Sequence, residues 1–126
     1  MELYKQDEYY KVVGLCMEVH RILGGGLLEA VYKEALEIEF TNHNIPFERE
    51  KEFIIEYKGH TLKKRFYADF VVYDEIILEV KATKLLIDEN IAQTLNYMNI
   101  TKSGLGILAN FSNKSLQHKR VVLYNS

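Results

Sequence analysis

Hydrophobic positions along the chain follow two periodicities, and the change comes at Pro46, the only proline. From Asp7 to Leu23, apolar residues recur at Val12, Leu15, Cys16, Val19, Ile22 and Leu23, the three-to-four spacing of an amphipathic helix. Gly24-Gly25-Gly26 ends it, because residues without Cβ weaken a helix and permit positive φ. A second helix is expected at once, with Leu27, Leu28, Val31, Tyr32, Ala35 and Leu36 as its apolar face, Lys33, Glu34 and Glu37 off it, and Asn42-His43-Asn44 closing it. Glu29 falls at the margin of that face, in the first turn, where the helix dipole favours an anion.

After Pro46 the period shortens. Phe47 to Tyr57 alternates loosely, with Phe53, Ile55 and Tyr57 on one side and Glu52, Ile54 and Glu56 on the other, which predicts a strand. Lys58-Gly59-His60-Thr61 carries the glycine of a tight turn, and the chain is expected to return antiparallel from Leu62 to Tyr73. Asp74-Glu75 turns it again into Ile76-Ile77-Leu78-Glu79-Val80-Lys81-Ala82, completing an antiparallel meander of three strands. Leu85-Leu86-Ile87 then leads to Asp88, an N-cap for a third helix carrying Ile91, Leu95 and Met98 on one side and Gln93 and Tyr97, one turn apart, on another. Gly104 to Phe111 and Lys119 to Tyr124 read as two more strands; the first follows a helix and so is expected to join by a parallel crossover. The elements make an α+β or α/β sandwich in one domain, 1–126.

The chemistry lies in the polar residues of these apolar strands. On a strand, Glu79 and Lys81 emerge on one face and Leu78, Val80 and Ala82 on the other. Burying an acid and a base is costly unless they are paired or used, which marks the run as a site. Asp69 interrupts a second core-quality strand, Tyr67-Ala68-Asp69-Phe70-Val71-Val72, whose hairpin partner holds Glu79 and Lys81. Pairing parity decides whether they meet. A two-residue loop at Asp74-Glu75 sets Asp69 opposite Val80, on the wrong face, whereas a three-residue loop or one bulge brings it to Glu79 and Lys81; the latter is predicted. Adjacent carboxylates repel unless a cation stands between them, and hard oxygen ligands suit Mg²⁺ or Mn²⁺. With a lysine beside them, such a set can hydrolyse a phosphodiester.

Composition narrows the partners. The chain has 126 residues, 48% of them hydrophobic, enough for one ordinary core. Its lone cysteine, Cys16, rules out an internal disulfide. The charged N-terminus does not resemble a signal peptide, and no apolar run approaches the roughly 18 residues that span a bilayer, so a soluble cytoplasmic protein without membrane contact is expected. A net charge of -2 gives no global pull on nucleic acid; binding has to come from a local patch.

Asp69 followed by Glu79-Val80-Lys81 resembles the core of the PD-(D/E)XK nuclease superfamily, and Gly26-Leu27-Leu28-Glu29-Ala30-Val31-Tyr32 resembles the signature of its GxxExxY proteins. Ala92 to Tyr97 and Gly106 to Phe111 extend the likeness to nearly the whole chain. Ala68 stands where the superfamily's proline would, and the triple glycine where Gly-Pro-Gly is expected. The resemblance implies a restriction-endonuclease-like core, a mixed sheet of about five strands flanked by about three helices, and metal-dependent cleavage of DNA or RNA. It implies that Asp69, Glu79 and the Val80 carbonyl hold Mg²⁺ or Mn²⁺, that Lys81 positions water or stabilises the transition state, that Glu29 completes the metal shell or binds a second ion, and that Gln93 and Tyr97 line the cleft.

Each assignment has a plainer rival. A Glu-x-Lys pair by itself describes a solvated charge pair as well as a site. An acid like Glu29 in a first helical turn is equally well ordinary dipole chemistry. Gln93 and Tyr97 can hydrogen-bond across a helix–sheet interface. Lys63, Lys64 and Arg65, with Lys58 and His60, can grip a phosphate backbone or simply guard a strand edge against aggregation. The rival functions are an inactive nucleic-acid-binding module and a homodimeric scaffold of the same fold.

Overall fold

The computed structural model of the chain describes residues 5–84 and 88–123. Its elements run in the order α1 (Gln6–Leu23), α2 (Glu29–Asn42), β1 (Phe47–Phe53), β2 (Glu56–Tyr57), β3 (His60–Thr61), β4 (Phe66–Val72), β5 (Ile76–Lys81), α3 (Asp88–Thr101), β6 (Leu105–Asn110) and β7 (Gln117–Val122). Five strands form one mixed sheet in the order β1-β4-β5-β6-β7. Only β5 and β6 are parallel; the other neighbours are antiparallel, as a meander followed by a helical crossover requires. The expected approach to α3 through 85–87 and the strand end at Tyr124 lie outside the described residues; Asp88 stands in the first turn of α3.

Each face of the sheet has its own core. Tyr9, Val12, Cys16 and Val19 of α1 and Tyr32, Leu36 and Phe40 of α2 pack on Phe70, Val72, Ile76, Leu78, Val80, Leu105, Ile107 and Ala109. Opposite them, Met98 of α3, with Ile91, Leu95 and Tyr97, packs on Ala68, Val71, Ile77 and Val121. Gly106 lets α3 sit close, since a Cβ there would lie 2.8 Å from Met98 Sδ and 2.8 Å from Thr94 Cγ2.

Three local expectations are corrected. Leu27 and Leu28 precede α2, and Leu28 is 77% exposed: only the stripe through Tyr32, Leu36 and Phe40 reaches the sheet, so the outer part of the predicted apolar face, Val31 included, stays in solvent. Ile22 and Leu23, expected on the buried side of α1, are likewise exposed. The long strand predicted from Phe47 to Tyr57 ends at Phe53; Glu56–Tyr57 pairs instead with His60–Thr61 in a separate small hairpin. Its loop residues Lys58 and Gly59 both have positive φ, 48° and 80°, the backbone of a two-residue hairpin turn.

Candidate active site

The hairpin between β4 and β5 turns through Tyr73-Asp74-Glu75, with Val72 paired to Ile76, Val71 to Ile77 and Phe70 to Leu78. The loop is therefore the three-residue one, with Tyr73 and Asp74 at φ 54° and 67°, and the register places Asp69 opposite Glu79. There the ladder stops and side chains enter it. The Asp69 N–H donates to Glu79 Oε2 at 2.9 Å, and the Val80 N–H donates to Asp69 Oδ2 at 2.8 Å. On the other flank, the β1–β4 register also skips the position where Glu50 would meet Asp69, and Glu50 has φ 52°. The strand kinks accordingly: Phe70 and Val72 face the α1/α2 core, whereas Ala68, which a regular strand would point the same way, belongs to the α3 core. Asp69 sits at that kink, in a fork between strands.

The two carboxylates differ in surroundings. Glu79 is 4% exposed, and burial, followed by the charge of Asp69, pushes its carboxyl up to about 8, against the opposing pull of the Asp69 N–H and the Lys81 charge. Asp69 is held by an ion pair the sequence pattern did not suggest. Lys33, placed off the apolar face of α2, reaches the fork with its Nζ 2.7 Å from Asp69 Oδ1 and 3.0 Å from Glu50 Oε1. Burial works against the Lys33 charge, but the bonds to Asp69 and Glu50 outweigh it and leave its pKa raised. A long aliphatic stem lets a lysine beside an apolar stripe lie over the sheet and place its head at a polar break. No periodicity argument finds such a residue; the one available signal is that Lys33 and Glu29 lie one turn apart on the same helix.

Lys81 follows on β5. It makes no ion pair among the described residues, and its charge is felt at Glu79. The strand's exit is fastened by three residues. Glu29 Oε1 accepts from the Ala82 N–H at 3.3 Å, so this carboxylate spans from the start of α2 to the end of β5. Asn110, fully buried, donates to the Thr83 carbonyl at 2.8 Å and accepts from its N–H at 3.0 Å, while the Phe111 N–H donates to the Lys81 carbonyl at 2.9 Å. Asn110 also went unpredicted, although a buried amide in the run Leu105–Asn110 needs partners for each of its polar atoms.

The glycines and Tyr32 set α2 in place. The Tyr32 hydroxyl donates to the Gly24 carbonyl at 2.7 Å and accepts from the Leu27 N–H at 3.0 Å, and its ring stacks on Phe111 at 4.5 Å. A Cβ on Gly25 would lie 2.5 Å from the Ser112 carbonyl oxygen and 2.7 Å from that of Asn113, so the loop presses backbone against backbone. Gly26, at φ 91° in the turn, Glu29 and Tyr32 form one brace: the glycine turn, the acid reaching β5 and the hydroxyl locking the turn.

Of the other predicted residues, Tyr97 lies within reach of the charges of Glu79 and Asp69, which, after burial, raise its phenol pKa; its ring stacks on Phe66 at 4.4 Å. Gln93 is exposed on α3, and no hydrogen bond among the described residues ties it to the fork. Lys63 and Lys64 are exposed between β3 and β4. Arg65 is engaged by Glu52 Oε1 at 3.1 Å and by the Leu62 carbonyl.

Among the described residues, no three His, Cys, Asp or Glu side chains form a metal-ligating group, so Glu29 does not join Asp69 and Glu79 in one cluster. The pair itself suits a hard divalent cation: both donors are carboxylates, each is fixed by a backbone N–H of the facing strand, and a cationic group, the Lys33 ammonium, already lies against one of them.

Residues 6–121 match the PD-(D/E)XK nuclease superfamily. Among solved structures, that of SSO0001 resembles the chain with a TM-score of 0.59 at 19% sequence identity, over 96% of this chain and 61% of the other. The likeness shows a shared restriction-endonuclease-like fold, and the present chain spans about three-fifths of that protein's length. No curated protein matches the chain in sequence.

Proposed function

Since the chain belongs to the PD-(D/E)XK nuclease superfamily, we propose that it is a metal-dependent nuclease of the GxxExxY group, hydrolysing phosphodiester bonds of DNA or RNA. The observation that carries this reading is the meeting of Asp69 and Glu79 in the fork between β4 and β5, with Lys81 next on the strand.

In this reading Asp69, Glu79 and the Val80 carbonyl hold Mg²⁺ or Mn²⁺, and Glu29, from the start of α2, holds the end of the strand that carries Lys81. A bound ion of this kind supplies Lewis acidity, stabilising charge on the phosphate and easing deprotonation of the attacking water. Lys81 contributes an ammonium for the scissile phosphate or for that water. Asn110 and the Phe111 N–H hold the backbone from which Lys81 projects. Tyr97 borders the acids and presents an aromatic edge to the substrate. Lys63, Lys64 and Arg65 grip flanking phosphates, the local patch that a chain of net charge -2 requires. Gln93 lines the approach from α3. A second copy of the chain is a candidate partner for holding a long substrate, and the cytoplasm is the compartment we propose for it. No helix among the described residues is long and apolar enough to cross a membrane.

The test is cleavage of single-stranded, duplex and branched DNA and RNA with Mg²⁺ or Mn²⁺, in wild type, Asp69→Ala and Lys81→Ala. Metal-dependent cleavage lost in both variants supports the proposal. Metal-independent binding without cleavage would replace it with the inactive nucleic-acid-binding module.

A further inference from the structure

The carboxylate pair of the fork is not empty of positive charge. Lys33 Nζ bridges Asp69 Oδ1 at 2.7 Å and Glu50 Oε1 at 3.0 Å, and the Lys33 and Asp69 side chains are only 13% and 15% exposed. Asp69 is thereby engaged at both oxygens, Oδ1 by the ammonium and Oδ2 by the Val80 N–H. Glu50 is the more exposed acceptor, at 47%, and it sits where β1 departs from its pairing with β4. An ion entering against Asp69 from the side of Oδ1 therefore meets an ammonium group that has a second carboxylate within reach.

We propose that Lys33 is a resident counter-ion of Asp69 that a divalent cation must displace, with Glu50 as the carboxylate that keeps it. Lys33 thus acts as a positioning residue that sets the metal affinity of the site. The exchange conserves pairing: before it, the ammonium is shared between Asp69 and Glu50; after it, the divalent ion takes Asp69 and the ammonium stays with Glu50. Glu50 lowers the cost of the exchange because Lys33 is never left without a partner in a half-buried position. This inference rests on the proposed metal site, whose affinity it describes.

The experiment is Mn²⁺ binding to the full chain without nucleic acid, read as free Mn²⁺ by electron paramagnetic resonance, in wild type, Lys33→Met, Lys33→Arg, Glu50→Gln and the double variant Lys33→Met/Glu50→Gln, with Asp69→Ala as the site control. Displacing a partly buried ion pair predicts that Lys33→Met binds Mn²⁺ about tenfold more tightly, and that Lys33→Arg, which keeps the charge at Asp69, does not. Glu50→Gln weakens binding about threefold in the wild-type background and has no effect in Lys33→Met, because Glu50 acts through Lys33. Lys33→Gln replaces Lys33→Met if the latter unfolds. Mn²⁺ binding by Lys33→Met alone, and not by wild type, also supports the exchange. If wild type binds Mn²⁺ at Asp69 and Lys33→Met binds it no more tightly, or if Glu50→Gln weakens both backgrounds equally, the exchange is overturned and the metal site stands. If neither wild type nor Lys33→Met binds, or Asp69→Ala binds as wild type does, both fall.

Discussion

Tyr32→Phe isolates one hydroxyl that the fold uses twice. The ring and its stacking on Phe111 at 4.5 Å remain, and what disappears is the donor to the Gly24 carbonyl and the acceptor of the Leu27 N–H, at 2.7 and 3.0 Å. A net hydrogen bond contributes about 0.5–1.5 kcal/mol, and an unmade partner costs more when water cannot reach it. Tyr32 itself is fully buried, but Leu27 is 41% exposed, so water can replace the tyrosine at that end of the pair. The loss is then about 1–2 kcal/mol, a fall in Tm of roughly 4–10 °C for a domain of this size. Thermal unfolding followed by circular dichroism in the presence of a chelator measures it. Tyr32→Leu, which also removes the stacked ring and leaves a cavity, lowers Tm further. A Tyr32→Phe protein melting within a degree of wild type would refute the brace, leaving the tyrosine as an aromatic filler whose oxygen is idle.

Gly25→Ala destabilises by about 1–3 kcal/mol or more, because the atoms its Cβ would meet at 2.5 and 2.7 Å are backbone oxygens that cannot rotate away; urea unfolding with an unchanged midpoint would show that the 111–113 segment yields. The Glu79 carboxyl is raised by burial and by Asp69, so the folded chain keeps a proton there that the unfolded chain releases, and between its ordinary value of 4.5 and about 8 stability falls as pH rises. The slope from this group is at most about 1.4 kcal/mol per pH unit, and Glu79→Gln removes it; without divalent metal, the stability difference between Glu79→Gln and wild type shifts by about 2–4 kcal/mol in favour of the variant from pH 5 to pH 8, whereas parallel curves would mean that Glu79 ionises normally. Asn110→Ala leaves Thr83 and Gln117 without their buried partner and costs about 2–3 kcal/mol in chemical denaturation; a cost under about 0.5 kcal/mol would show that Asn110 does not fasten the exit of β5.

How far the sequence could be read depended on the range of the interaction that decided each feature. The fork was legible because Asp69 and Glu79 lie in adjacent strands and the parity of one turn settles their facing, a local question that Tyr73-Asp74-Glu75 answers. The helices were legible from period, but not which part of each stripe would be covered: Leu28 and Val31 have the spacing of a core face, yet Leu28 precedes the first turn of α2 and the core takes Tyr32, Leu36 and Phe40 instead. Strand β1 was overextended because alternation continues past Phe53, while the backbone at Glu50 and the separate pairing of Glu56–Tyr57 depend on partners elsewhere in the chain. Lys33 was missed for the same reason, since it lies off the apolar face and its contacts are with strands far along the sequence. Within the signature, Glu29 drew attention as a charge near an apolar face; Tyr32 read only as an apolar face residue until its hydroxyl was seen to hold the glycine turn.

The central claim is that Asp69 and Glu79 form a divalent-cation site, and the shift of Tm with Mg²⁺ or Mn²⁺ tests it most directly. At an ion concentration about 100 times the dissociation constant, binding to the folded state alone adds about 2.7 kcal/mol. The ion is expected to raise the Tm of wild type by several degrees and to leave that of Asp69→Ala unmoved. A wild-type Tm that does not respond to the ion, or an equal rise in both proteins, would contradict it.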